Sequence, residues 1–198
     1  MEYNMLLIIK ILYLISPLIF AGISNMIFVK SPIFNYLKKP IDSGKLLNDG
    51  KSVFGENKTW KGFIGMIVLT SLFMGLTGHL SRYNSFFQSI SILPYHNFSF
   101  PFNEWFYGAV WGFSYVLFEL PNSFIKRRFN IPPGENAGGS IGKMFLFIDH
   151  IDSVIGAIVF LFIFYNPSFL EIALIFLFGS LIHFCLNIML YKLGLKMK

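Results

Sequence analysis

Charge is scarce in this chain. Only 13% of its 198 residues are Asp, Glu, Lys or Arg, about half the share of an ordinary soluble domain. Cysteine is scarcer still. Cys185 stands alone in an apolar run, which excludes an intramolecular disulfide and any cysteine-based zinc site and leaves that residue to act as a small buried hydrophobe. The chain has no internal repeat, no sustained heptad and no low-complexity linker, so one membrane domain covers 1–198. No cleavable leader is expected, and the first apolar stretch reads as a retained transmembrane helix. The first apolar stretch, Met5 to Phe28, outruns a signal h-region of roughly 7–15 residues and has no small-x-small cleavage site after it.

Apolar sequence fills what remains. Hydrophobic residues make up 55% of the chain, with 25 Phe, and the mean hydropathy is +0.61. The expected class is an all-α integral membrane protein with about five transmembrane helices of about 20 residues each. They fall at Leu6–Val29, Phe63–Leu80, Trp105–Leu120, Val154–Tyr165 extended back to Ile151, and Phe169–Leu190. Asn166-Pro167 ends the fourth span, which must therefore begin near Asp149 and carries Asp149 and Asp152 in its first turn. The last two spans form a hairpin around Asn166-Pro167-Ser168.

Charge alternates between the connections. Lys10 lies inside the first span. Arg82 alone falls in the second connection, and no cation falls in the fourth. Every other Lys and Arg lies in the first connection (Lys30 to Lys61), the third (Lys126, Arg127, Arg128, Lys143) or the tail (Lys192, Lys196, Lys198). The positive-inside rule makes that side cytoplasmic, with the N-terminus outside and the C-terminus inside. The net charge of +6 is thus drawn toward an anionic leaflet. A topogenic signal alone would look the same.

Three polar clusters share the basic side. The first is Pro40-Ile-Asp-Ser-Gly-Lys45 followed by Phe54-Gly-Glu-Asn-Lys-Thr-Trp-Lys-Gly62. Gly55 lets backbone N–H groups approach an anion, Lys58 and Lys61 add charge, and Asn57 and Thr59 add polar contacts just before a helix N-terminus. Glu56-Asn57 interrupts the P-loop spacing, and a solvated basic turn is the plain alternative. The second cluster is Glu119-Leu-Pro-Asn-Ser-Phe-Ile-Lys-Arg-Arg128. Glu119 at a membrane edge calls for a cavity, a metal or a cation. Pro121 breaks the helix, and Ser123, Lys126, Arg127 and Arg128 stand at lipid-phosphate level, where Arg favours bidentate contact. A stop-transfer cluster would read alike. The third is Asp149-His-Ile-Asp152, whose carboxylates at i and i+3 share a helix face and suit Mg²⁺; helix capping is the alternative. His150 is expected to be structural, His79 and His96 superficial, and Gly108-x-x-x-Gly112 a packing motif.

Together these motifs resemble the CDP-archaeol synthase family, relatives of the CDP-diacylglycerol synthases, over about Pro40 to Ala157. The resemblance implies five transmembrane helices and transfer of a cytidylyl group from CTP to a lipid phosphate, giving a CDP-lipid and pyrophosphate. It assigns Gly55, Asn57, Lys58, Thr59 and Lys61, with Ser123 and Lys126 to Arg128, to the nucleotide and substrate phosphates. Asp149 and Asp152, joined by Glu119, are assigned to Mg²⁺. Asp149, Asp152, Lys126 and Arg127 form the expected catalytic set. Glu119 where the archaeal pattern has Asp, His150 after Asp149, and the long Pro133–Gly142 stretch suggest a bacterial-type branch. Expected partners are CTP, a lipid phosphate and membrane lipids, with no nucleic acid and room for a homodimer. The competing class is a non-catalytic membrane scaffold or small transporter subunit, which charge clustered at one face disfavours.

Overall fold

A computed structural model of the chain describes residues 2–135, 137–192 and 194. Among them are five long helices: α1 (Glu2–Lys30), α2 (Trp60–Tyr83), α4 (Glu104–Arg128), α5 (Gly139–Leu161) and α6 (Phe169–Lys192). A short α3 (Ser85–Ile90) lies between α2 and α4. The elements named are all helical, and the remaining backbone pairing is confined to isolated bridges. Residues 4–30, α2, α5 and α6 are each long and apolar enough to cross a membrane. α4 matches them in length but carries Glu119 and Lys126 to Arg128 in its second half, which lowers its mean apolarity. It is held at their level because it packs between α2 and α5.

Small residues explain that packing. A Cβ on Gly108 would lie 2.7 Å from the Ser71 backbone, and one on Gly112 would lie 2.8 Å from the Met66 carbonyl oxygen. α2 and α4 therefore touch along the predicted Gly-x-x-x-Gly stripe. On the opposite flank Gly156 of α5 meets the Ser114 carbonyl at 2.7 Å by the same measure. Trp111, fully buried, donates its indole N–H to the Ala157 carbonyl at 2.8 Å. That bond fixes the antiparallel register of α4 on α5.

Caps explain where the helices start. Thr59 accepts from the Gly62 amide at the head of α2, and Asn103 accepts from Phe106 at the head of α4. Ser168 and Glu171 form a reciprocal capping box at α6. The turn at Asn166-Pro167-Ser168 joins α5 to α6 as expected.

Two expectations about the helices need correction. Pro121 does not break its helix: α4 runs through it to Arg128. Proline costs one backbone bond but its φ suits a helix, and packing of α4 against α2 and α5 holds the helix together past it. α5 starts at Gly139, not near Asp149. The run Met144–Ile148 extends the helix because Phe145 buries its ring and meets Phe129 at 5.7 Å. Asp149 and Asp152 thus sit nearly three turns inside α5, where they cap nothing. Lys143 belongs to that helix as well.

Cys185 is exposed rather than buried. Among the described residues of α6 only Ile175 and Leu190 are buried, so the helix turns most of its surface to lipid, where an apolar side chain loses nothing by exposure. His79 and His96 are exposed, as expected. The connection after α2 is closed by Arg82, which donates to Glu104 and to the Tyr95 carbonyl, both at 2.8 Å.

The basic connections meet at one end of the bundle. Lys61 donates to the Ser31 carbonyl, Arg128 to Asp49, and Lys51 to the Arg128 carbonyl. Lys196 and Lys198, counted with that side, lie outside the described residues.

Candidate active site

The site forms where α4 and α5 run past each other beneath the loop between α1 and α2. From the Trp111–Ala157 contact, three turns along α4 reach Asn122 and two turns back along α5 reach Asp149. Helical spacing then stacks Glu119, Asn122 and Lys126 on one face of α4, and Asp149 and Asp152 on the facing side of α5.

Lys126 donates to both oxygens of Asp149, at 2.6 and 2.5 Å. Asn122 donates its amide to Asp149 Oδ1 at 2.7 Å and to Asp152 Oδ2 at 3.0 Å. Lys58, from the loop, reaches Glu119 at 2.5 Å. Burial works against the Lys58 ammonium, but Glu119, with Asp152 and Asp149 behind it, outweighs burial and holds its pKa above the ordinary lysine value. The carboxylates of Glu119, Asp149 and Asp152 are thus matched by Lys58, Lys126 and Arg127. Arg127 is 6% exposed, and its Nε and Nη1 have no hydrogen-bond partner. Buried guanidinium N–H groups left open beside carboxylates are costly unless an acceptor arrives.

The loop brings Gly55 onto Arg127. Gly55 has φ +99°, and a Cβ there would lie 3.1 Å from Arg127 Nη1 and 2.8 Å from Pro133 Cγ. Asp42 ties the loop down. Its Oδ2 accepts from the amides of Phe54 and Gly55, and its Oδ1 from Gly44. Partial burial raises the Asp42 carboxyl, but those N–H groups prevail and hold it below the usual carboxylate value.

Other expected residues are placed differently. Lys61 is fully buried and turns to the Ser31 carbonyl and Asn35, away from the carboxylates. Arg128 pairs with Asp49 and the Ser52 carbonyl, bracing the loop. Thr59 Oγ1 accepts from Gly62; Asn57 is exposed on the loop surface, and Ser123 is buried beside Asn122. Asn122 and Asp42 are the residues to which sequence reasoning gave no role. Asp-Ser-Gly at 42–44 is an Asx-turn signature that could have revealed Asp42. Asn122 has no local signal, because its partners lie on another helix.

His150 is buried and structural, as expected. Its Nδ1 faces the Leu146 carbonyl, and Asn187 of α6 lies 3.2 Å from its Nε2.

The donor set fits a hard divalent cation in a limited way. No group of three His, Cys, Asp or Glu is arranged to hold a metal among the described residues. Asp149 and Asp152 are nevertheless bridged by one amide, and Mg²⁺ is usually held by one or two carboxylates completed by substrate phosphates. Glu119, held by Lys58, stands beside that pair rather than within it.

An apolar groove of about 590 Å³ runs along another side of α4. It is lined by Phe54, Leu117, Phe118, Pro121 and Phe124 with neighbouring aliphatic residues. Phe54 joins the groove to Gly55.

The fold and site therefore define an integral membrane protein with a polar, charged site at one end of its bundle and an apolar groove on another side of α4. The chain belongs to the CDP-archaeol synthase family. The family model described as CarS-like, CDP-archaeol synthase, matches residues 3–198. The CDP-archaeol synthase of Pyrococcus furiosus is 31% identical over 167 residues, covering 84% of this chain and 86% of that protein. That of Methanocaldococcus jannaschii is 32% identical over 160 residues, covering 79% and 81%. A solved structure described as "Structural insight into an intramembrane enzyme for archaeal membrane lipids biosynthesis" shares the fold, with a TM-score of 0.59 and 20% identity over 89% of this chain and 92% of that one.

Proposed function

We propose that this protein is a membrane CTP-dependent cytidylyltransferase that makes a CDP-lipid, with a lipid phosphate as acceptor and pyrophosphate as the second product. The acceptor is an archaeal-type ether-lipid phosphate or a phosphatidic acid-like molecule. The observation that carries this reading is the buried Arg127, with unpaired N–H groups, beside the Lys126–Asp149–Asn122–Asp152 cluster. Anion-binding groups and metal-binding groups meet there within one site.

An oxygen of the lipid phosphate attacks the α-phosphorus of CTP. A new P–O bond forms, the α–β P–O bond breaks, and pyrophosphate leaves with the electron pair. The attacking phosphate is already ionised near pH 7, so the site has no need of a general base. Positioning and charge neutralisation carry such a transfer. Arg127 binds a phosphate through its open N–H groups, and Lys58 and Lys126 neutralise charge that builds on the transferred group and on the leaving pyrophosphate. The Gly55 backbone, Asn57 and the Thr59 hydroxyl hold the nucleotide over α2, whose N-terminal dipole favours the anion. Ser123 adds a hydroxyl. Asp149 and Asp152 would hold Mg²⁺, with Glu119 beside them, and the ion when bound would supply charge withdrawal from the phosphates. Lys61 and Arg128 keep the loop in place.

The groove along α4 receives the acceptor's hydrocarbon chains, since it is apolar along its lining and Phe54 at its edge precedes Gly55 in the loop. The site faces the cytoplasm, where the basic end of the bundle belongs by charge. The membrane is the cytoplasmic one.

The test is a reaction of purified protein in lipid with radiolabelled CTP, Mg²⁺ and each acceptor in turn. Labelled CDP-lipid supports the reading. Its absence with every acceptor overturns it, and the product identifies which lipid is used.

A further inference from the structure

Asn122 is committed on one side of its amide and open on the other. Its two N–H hydrogens serve Asp149 Oδ1 and Asp152 Oδ2, which exhausts its donors. Its Oδ1 is shut off from solvent and has no hydrogen-bond partner, although the residue as a whole is only 6% exposed. A buried carbonyl oxygen with two free lone pairs, next to two carboxylates, is an acceptor waiting for a positive group. The two neighbouring lysines are already engaged, Lys126 with Asp149 and Lys58 with Glu119, and Arg127 turns its Nη1 toward Gly55.

We propose that Asn122 is a further ligand of the divalent cation, supplying Oδ1 alongside the carboxylates of Asp149 and Asp152. This rests on the proposed cation-assisted reading of the site. Charge explains why an amide stands there. The substrate brings a triphosphate, and a third carboxylate at the metal would repel it. An amide oxygen adds a hard ligand of the kind such ions accept without adding negative charge. The same amide spaces the two carboxylates through its N–H groups.

The experiment measures metal binding rather than turnover. Protein in lipid nanodiscs, in a Cys185→Ala background, is titrated with Mn²⁺ by electron paramagnetic resonance in the presence of a non-reactive CTP analogue with a methylene bridge between the α and β phosphorus atoms. Asn122→Ala is expected to weaken Mn²⁺ binding by about 10-fold or more. Asn122→Asp keeps an oxygen ligand and is expected to retain Mn²⁺ at saturating analogue, while its added charge weakens binding of the analogue itself. Asn122→Cys replaces a hard donor with a soft one, so it is expected to favour Cd²⁺ and to show a thiolate-to-cadmium charge-transfer absorption. That band requires a direct bond and would not arise from a residue that only spaces its neighbours.

Undiminished Mn²⁺ affinity in a folded Asn122→Ala overturns the assignment, as does Asn122→Cys without the cadmium band. Should the alanine variant fail to fold, Asn122→Asp decides: loss of Mn²⁺ from a folded aspartate variant at saturating analogue also overturns it. If the parent protein takes up no Mn²⁺ with the analogue, the cation reading itself falls and takes this inference with it. That result is distinct from a defect confined to the Asn122 variants.

Discussion

Lys126 of α4 holds both carboxylate oxygens of Asp149 on α5, at 2.6 and 2.5 Å. The two residues are 23 positions apart and belong to helices that meet only through tertiary packing. The pair links the side proposed to bind phosphate to the side proposed to bind the cation. With Asp149 28% exposed and Lys126 11% exposed, breaking it leaves a largely desolvated charge.

Lys126→Met is therefore expected to destabilise the protein by about 3 kcal/mol, the lower end for a broken buried pair. A double variant with Asp149→Asn should lose less than the sum of the two singles, because the second change removes the stranded charge. Detergent-resistance melting of the four proteins checks this; additive losses would show that the pair is not coupled.

Asp152→Asn tests the metal side with little change of shape. Turnover with CTP and lipid phosphate is expected to vanish while membrane insertion and melting temperature stay at the parent values. Full activity would remove Asp152 from the cation site.

Gly55→Ala tests the loop. The added methyl meets Pro133 Cγ at 2.8 Å and Arg127 Nη1 at 3.1 Å, in a backbone conformation that an L side chain resists. The expected result is a rise in KM for CTP, with a stability loss of about 1–3 kcal/mol, the usual cost of overpacking. An unchanged KM would separate this loop from nucleotide binding.

Asp42 sets the pH behaviour of the same loop. Its folded-state carboxyl lies below the usual value, so its contribution is complete above the unfolded value of about 3.9. The contribution is lost as pH falls through the lower folded value. Hydrogen exchange at the Phe54 and Gly55 amides, compared between the parent and Asp42→Ala, should show faster exchange in the variant at pH 6. The difference should close below the folded carboxyl's pKa. A difference that persists unchanged in acid would assign loop order to another group.

Gly112→Leu is expected to separate α4 from α2, since a Cβ alone already meets the Met66 carbonyl at 2.8 Å. Loss of folded protein, and with it of all CTP-dependent stabilisation, is the result to look for by size-exclusion profile and thermal shift. A well-folded leucine variant would disprove the close approach.

Much of this was written locally in the chain. Apolar length placed the helices because a bilayer leaves backbone groups no partner except one another. The small-residue stripe at Gly108 and Gly112 marked a packing face of α4, and Asn166-Pro167-Ser168 marked the turn into α6. Lys58, Glu119, Lys126, Arg127, Asp149 and Asp152 were identified by residue type and by their place at the ends of apolar runs. Local signals misled where packing overrode them. Pro121 reads as a break, but α4 packs against both α2 and α5 and continues through it. The start of α5 was placed too late, because the burial of Phe145 against Phe129 cannot be seen in a glycine-rich run.

The amino-acid sequence by itself determined that the chain is a membrane protein, where its helices fall, and which charges are gathered at one end. Those are matters of composition and of spacing along one helix. The tertiary structure alone decided which charges meet. The Trp111–Ala157 register turns Asn122 and Lys126 onto Asp149 and Asp152, Asp42 brings Gly55 onto Arg127, and Lys61 and Arg128 are drawn off to brace the loop. Such pairings depend on the rotation and register of one helix against another, and these are fixed by close packing between residues far apart in the chain.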